Sequence, residues 1–109
     1  MELINQLKTY GIDFTSSVYE DEETYITDLK RFIHSYDFLQ LGQAIKRKQW
    51  QTASMKVQKM SAKAKNMGMT GWEHLFTGMR QNINRKNESE ALQIMSVVTA
   101  KRVKLMELL

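Results

Sequence analysis

The sequence contains no cysteine, which excludes disulfide bonds and thiol catalysis and fits a reducing compartment. It also contains no proline and only five glycines, so few positions interrupt a helix. No apolar run approaches the roughly 20 residues that a membrane-spanning helix needs. A secretion signal has a basic stretch followed by an apolar one. The first residues, MELINQLKTY, do not have this pattern. We therefore expect a cytoplasmic protein with no membrane partner.

The chain has 109 residues, of which 42% are hydrophobic, and this suits a single domain over residues 1–109 with a modest core. Its net charge of +4 is unevenly distributed. Acidic residues crowd the segment from Glu20 to Asp28, whereas no acid lies between Asp37 and Glu73. Because seven lysines and arginines fall inside that acid-free gap, the middle of the chain favours an acidic partner.

Apolar residues recur at helical spacing along most of the chain. A short amphipathic helix, LINQLKTY, comes first and leads to a turn at Gly11. Asp21 can cap the next helix, whose apolar residues extend from Tyr25 to Tyr36. Asp37 can cap a further helical segment, FLQLGQAIKRK, and the pattern leaves open whether a break separates these two helices.

Three more helices are predicted in the second half of the chain. The stretch Trp50–Gly68 ends where glycine most easily forms a left-handed C-terminal cap. Thr70 and Glu73 have the spacing of a capping box, and Asn87 or Ser89 can cap the last helix. Four long helices with short links, preceded by a short one, predict an all-α, up-and-down four-helix bundle with a short N-terminal helical addition.

The segment WQTASMKVQKMSAKAKNMGM, residues 50–69, has two distinct faces. One is an apolar stripe that should be buried, and it consists of Trp50, Ala53, Val57, Met60, Ala64 and Met67. The other is a polar row one position further on, and it consists of Gln51, Ser54, Gln58, Ser61 and Lys65. The polar row should lie on the shoulder of the helix, where a partner can reach it.

Part of this segment resembles the signature of the histidine-containing phosphotransfer (HPt) domains of bacterial phosphorelays. That signature is close to A-H-x-L-K-G-x-A-x-N-I-G and lies on one helix of a four-helix bundle. VQKMSAKAKNMG, residues 57–68, is similar to it in register at the packing positions, which are Val57, Met60, Ala64, Asn66, Met67 and Gly68. GIDF, EDEETY and LKRF are similar to the family's opening helices, so the resemblance covers roughly the first 80 residues.

The chain departs from the family at the three positions that carry the chemistry. Gln58 occupies the histidine position, Ser61 that of the lysine and Ala62 that of the glycine. Phosphoryl transfer needs a nucleophilic imidazole nitrogen, whereas the lone pair of the Gln58 amide nitrogen is delocalised. The resemblance therefore implies a non-phosphorylatable domain, not an enzyme, that binds a receiver domain or a histidine kinase without a cofactor.

The expected partner-binding residues follow from the same helix. Short side chains would let another protein approach closely, and two lysines could meet the carboxylates of a receiver's acidic pocket. The set comprises Ser54, Gln58, Lys59, Ser61, Ala62 and Lys65.

Two other functions are compatible with the sequence. The chain could be an active phosphotransfer protein that uses His74 as a relocated acceptor. Alternatively, its basic segment and isoelectric point near 9.4 could belong to a small nucleic-acid-binding helical protein. Against nucleic acid, the basic helix lacks the richness in arginine and the interleaved aromatic residues of such proteins, and the acidic patch near Glu22 opposes it. His34 and His74, 40 residues apart and without cysteines, give no metal signature.

Overall fold

The computed structural model describes residues 2–109, and the regular structure in this range is helical, without a strand. The all-α prediction is confirmed. Every helix in this range is too short or too polar to span a bilayer. The helices are α1 (Glu2–Lys8), α2 (Glu22–Ile33), α3 (Asp37–Lys46), α4 (Trp50–Asn66), α5 (Thr70–Asn84) and α6 (Glu88–Leu108), with a 3-10 turn at Phe14–Ser16.

One glycine and two aspartates determine the path between α1 and α2. Gly11 takes a positive φ of 76° at the predicted turn. The carboxylate of Asp13 accepts the backbone N–H of Thr15 at 3.0 Å and so caps the 3-10 turn. The carboxylate of Asp21 accepts the N–H of Thr24 at 2.8 Å, which confirms the predicted cap of α2.

Gly68 joins the N-terminal segment to the end of α4. It has a φ of 71°, as predicted for a left-handed cap. Its carbonyl oxygen accepts the N–H of Asp13 at 3.0 Å, and the carbonyl oxygen of Asn66 accepts the N–H of Val18 at 2.9 Å. A Cβ atom on Gly68 would overlap the carbonyl oxygen of Asp13. Only glycine therefore fits this contact without moving the N-terminal segment.

A real break separates α2 from α3 at residues 34–36. Arg102 of α6 fills it, because its Nε donates to the carbonyl oxygen of Ile33 at 2.6 Å and its guanidinium lies 4.9 Å from the ring centre of Phe38. The last carbonyls of a helix have no partner within the helix. A cation from another helix thus satisfies one of them here and ties the break to α6.

Two details predicted for this region are wrong. Tyr36 does not belong to the buried stripe of α2, since the helix ends at Ile33 and the tyrosine side chain is 78% exposed. Asp37 does not cap α3, because it is the first helical residue and its side chain makes no cap hydrogen bond. Its carboxylate accepts a hydrogen bond from Lys56 Nζ at 2.9 Å instead.

Contacts between the helices show in which direction each runs relative to its neighbours. α2 and α3 both run antiparallel to α4, and α3 also lies beside α6, while α5 lies between α4 and α6. For α2 with α4 and for α4 with α5, the early part of one element meets the end of the other, while α3 and α4 are joined by the short link at residues 47–49 and meet again at Asp37 and Lys56. The contacts that show this are Tyr25 Oη to Met67 O at 2.7 Å, Asp37 Oδ1 to Lys56 Nζ at 2.9 Å and Ser54 Oγ to Asn84 Oδ1 at 3.0 Å.

Helix α5 begins without the predicted capping box. Met69 is the N-cap, its side chain is fully buried and its carbonyl oxygen accepts the N–H of Glu73 at 2.9 Å. Thr70 is already helical and exposed, so its hydroxyl is not where a cap would be. The predicted cap of α6 at Asn87 is confirmed, since its side chain accepts the N–H of Glu90 at 3.3 Å.

The core between these helices is apolar, and among residues 2–109 every polar or charged residue is at least partly exposed. Four of its aromatic rings, those of Phe32, Phe38, Trp72 and Phe76, form a chain of contacts with centroids 5.3 to 6.5 Å apart. The stripe predicted for α4 is buried from Ala53 to Met67, but Trp50 at its start is only half-buried.

Candidate partner-binding face on helix α4

The polar row of α4 lies along its border with α5. Ser54 is half-buried there and donates its hydroxyl to the side-chain oxygen of Asn84 at 3.0 Å. Ser61 is also half-buried, whereas Gln58 and Lys65 are exposed. The structure therefore brings these four predicted residues onto one edge of α4, but it turns the two serines partly into the helix contact.

The antiparallel register of α4 and α5 aligns polar residues across this border. Because Ser54 meets Asn84, each turn further along α4 lies opposite a turn nearer the start of α5. This register puts Arg80 near the level of Gln58, and the arginine is exposed. We call this border the α4–α5 seam, formed by Ser54, Gln58, Ser61 and Lys65 of α4 and by Glu73, Thr77, Arg80 and Asn84 of α5.

The exposed surface of α4 also includes an apolar residue. Met55 is 66% exposed. With a spacing of three, four and seven residues, it shares one side of the helix with Gln58, Lys59 and Ala62, all of them exposed. We call these four residues the α4 strip. Met55 was not among the residues predicted from the sequence, although its position outside the apolar stripe of the helix is a signal for an exposed methionine.

The lysines of α4 are divided between different surfaces. Lys56 points to α3, where its Nζ bonds both Asp37 at 2.9 Å and Gln40 at 2.6 Å. Lys63 points to α2, with its Nζ 5.9 Å from the ring centre of Phe32. Only Lys59 and Lys65 remain on or beside the α4 strip. The basic segment of the sequence is thus not one continuous positive face.

The hydrogen bond from Lys56 lowers the pKa of Asp37 below its usual value of 3.8, and the positive charges of Lys56, Lys59 and Lys63 act in the same direction. Asp37 is consequently ionised and paired at neutral pH. Since α4 itself contains no acidic residue, the α4 strip has a positive charge that no acid of its own helix balances.

His74 lies apart from the core and is exposed on α5. It is two positions from both Trp72 and Phe76, which are buried, so its side chain points away from them. It takes part in neither ion pair of residues 2–109, which are Arg31 with Asp28 and Lys56 with Asp37. Residues 2–109 also contain no group of three or more histidine and carboxylate side chains that could hold a metal ion.

A scan against protein-family models and searches of curated proteins and of solved structures each find no match to this chain.

Proposed function

We propose that this protein is an HPt-like domain of phosphorelay signalling that lacks the phospho-accepting histidine and binds a receiver domain or a histidine kinase. In this proposal it acts by occupying its partner's docking surface, and it transfers no phosphoryl group itself. Both partner classes meet phosphotransfer domains in the cytoplasm, where we place the protein.

The order and directions of the helices support the proposal. We interpret α2 and α3 as one interrupted arm, because both lie antiparallel to α4 and because Arg102 joins their break to α6. With α4, α5 and α6, that arm makes an up-and-down four-helix bundle, and α1 is the short N-terminal addition. This is the architecture that the resemblance implies.

The observation that carries the proposal is the surface around Gln58. The side chain is exposed at the middle of α4, at the position that resembles the family's histidine, with small Ala62 and two lysines nearby. A positively charged surface with a small residue at its centre suits an acidic pocket. Gln58 offers an amide that donates and accepts hydrogen bonds but cannot take a phosphoryl group.

The nucleic-acid alternative loses support from the division of the lysines, since Lys56 and Lys63 are turned toward α3 and α2. Continuous contact with a phosphate backbone needs a basic stripe on one side. The alternative in which His74 accepts phosphate rests on its exposure alone. The transfer experiment below tests it.

Binding is tested by blocking the α4 strip. Ala62→Trp should leave the core intact, because residue 62 is exposed. It should nevertheless weaken the binding of a cognate receiver domain or kinase by about tenfold or more. Gln93→Trp, at an exposed position of α6, is the matched control. Affinity should also fall between low and high salt, because exposed charge pairs are screened within about 10 Å at 0.1 M salt. Normal binding of Ala62→Trp would place the docking surface elsewhere.

Phosphoryl transfer is tested by restoring the missing chemistry. The natural chain should accept no radiolabel from a phosphorylated receiver, and Gln58→His should accept little, because Ser61 supplies no cation for the phosphate. Adding Ser61→Lys and Ala62→Gly should increase both the transfer rate and the lifetime of the label. Acid-labile, base-stable label on the natural chain that His74→Ala removes would instead establish His74 as the acceptor.

A further inference from the structure

A groove of about 680 Å³ lies between α3 and α6. Its lining is mainly apolar or small. The residues that form it include Leu39, Gly42, Met95, Thr99, Ala100 and Arg102. The absence of a side chain on Gly42 leaves room between the two helices, since a Cβ there would meet only Met95 Cγ at 3.9 Å.

Large apolar side chains are exposed in this groove and beyond it on α6. On α3, Leu39 is 56% exposed. On α6, Val103 and Met106 are 49% and 37% exposed, and they continue the line of Met95 and Thr99 at spacings of three and four residues. This side of α6 runs from Leu92 to Met106, about 21 Å or four helical turns, and it is packed on the core at Leu92 and Met95. Among residues 2–109, the apolar side of α6 is therefore left exposed at Val103 and Met106, beyond the buried Met95.

The charge around the groove is positive. Lys46 and Arg102 line it, and neither belongs to an ion pair within residues 2–109. Arg102 is fixed in place by its hydrogen bond to Ile33 and by the ring of Phe38. Between Glu90 and Glu107, α6 contains Lys101, Arg102 and Lys104 but no acid. A partner that fills the groove would gain most from carboxylates beside its apolar residues.

We propose that the α3–α6 groove is a docking site for an amphipathic helix of another protein, with an apolar stripe on one side and acidic residues flanking it. A helix in a groove presents anchors at the three-and-four spacing, and the exposed Leu39, Val103 and Met106 would meet them. A second copy of this chain fits less well, because a symmetric contact through the same groove brings Lys46 and Arg102 toward their own equivalents. The groove lies on α3 and α6, so this site does not depend on the function proposed for α4.

A pair of synthetic peptides tests the proposal on the intact chain. Each has roughly 18 residues, long enough to be helical when bound, with leucines at the three-and-four spacing and a fluorescein label. One carries glutamates beside the leucines and the other carries lysines at the same positions. We expect saturable binding, seen as fluorescence anisotropy, that is about tenfold or more tighter for the glutamate peptide. Amide chemical shifts should change on α3 and α6.

Two substitutions connect the binding to the groove. Leu39→Gln should weaken the binding of the glutamate peptide by about fivefold or more. Lys46→Glu should remove most of the preference for the glutamate peptide over the lysine peptide. Val18→Gln, at an apolar residue that is 69% exposed in the N-terminal segment, is the matched control and should have no effect. Circular dichroism should give the same helix content for all three variants.

Several results would overturn the proposal. Equal binding of both peptides would mean that only apolar attraction acts, and no saturation up to the order of 1 mM would mean that no site exists. Chemical shifts confined to the α4–α5 seam would move the site to that surface. A concentration-dependent dimer in sedimentation that Leu39→Gln returns to monomer would assign the groove to a second copy of the chain.

Discussion

Replacing Gly68 by alanine should destabilise this protein far more than the loss of a surface glycine normally does. The left-handed conformation alone costs a residue with a Cβ about 1 kcal/mol or more. The new methyl group would also overlap the carbonyl oxygen of Asp13 and come within 3.2 Å of the backbone nitrogen of Ser17. Because both neighbours are backbone atoms, the clash can be relieved only by moving the whole N-terminal segment.

Moving that segment breaks the hydrogen bonds that hold it. The bond from Asp13 N to Gly68 O measures 3.0 Å and that from Val18 N to Asn66 O measures 2.9 Å. Each contributes about 1 kcal/mol net. With the cost of the left-handed backbone, we expect a loss of about 3 to 4 kcal/mol, or about 15 °C in the melting temperature of a chain of this length.

Two other glycines provide matched controls for thermal unfolding followed by circular dichroism. Gly11 has a φ of 76° but open space around it, so Gly11→Ala should lose only the backbone cost, about 1 kcal/mol or 4 to 5 °C. Gly71 is in α5 with open space around it, so Gly71→Ala should be neutral or stabilising by up to about 1 kcal/mol. If Gly68→Ala unfolds no earlier than Gly11→Ala, the N-terminal segment is not docked on α4 as described.

Two further predictions concern helix ends and the pair of Lys56 with Asp37. Lys48 and Lys86 have positive φ values of 56° and 58° at the ends of α3 and α5. Lys48→Gly and Lys86→Gly should therefore each stabilise the protein by about 0.5 to 1 kcal/mol in thermal unfolding. A loss of stability in both variants would contradict this expectation. Lys56→Met should return the pKa of Asp37 from its lowered value toward 3.8 in an NMR titration. That pKa is depressed in the folded state, so the pair stabilises the fold above about pH 4 and this stabilisation is lost as the pH falls through the folded pKa. It amounts to at most about 1 kcal/mol for side chains this exposed. An Asp37 pKa that Lys56→Met leaves unchanged would rule out the pair as its cause.

Most of the helices could be predicted from the sequence because the apolar spacing is regular and the interrupting residues are few. Gly68 and Asn87 mark helix ends by mechanisms that act within a few residues, and both predictions are confirmed. The predicted cap at Thr70 was wrong because tertiary packing, not the local sequence, determines where α5 begins. The left-handed backbone at Gly68 is followed by Met69, whose side chain is fully buried, so α5 starts one residue earlier than the capping box would have it.

The break before α3 shows a second limit of local patterns. Tyr36 continues the apolar spacing of α2 without a flaw, but the helix has already ended at Ile33. The group that stabilises the end is the guanidinium of Arg102, which donates to Ile33 from 69 residues away. A partner so distant in sequence leaves no local signal, and Tyr36 therefore looked buried when it is exposed.

In the candidate site, too, the local features could be predicted and the tertiary contacts could not. The face of α4 on which Gln58, Ala62 and Lys65 lie could be predicted, because helical periodicity fixes the angle between residues of one helix. What lies across from that face could not, because it depends on the register of α4 against α5, which the contact of Ser54 with Asn84 reveals. That register puts Arg80 near the level of Gln58. In the proposed function, Arg80 would then face the same partner surface as Gln58, and the chemistry of this site belongs to two helices although the resemblance to a family was found on one.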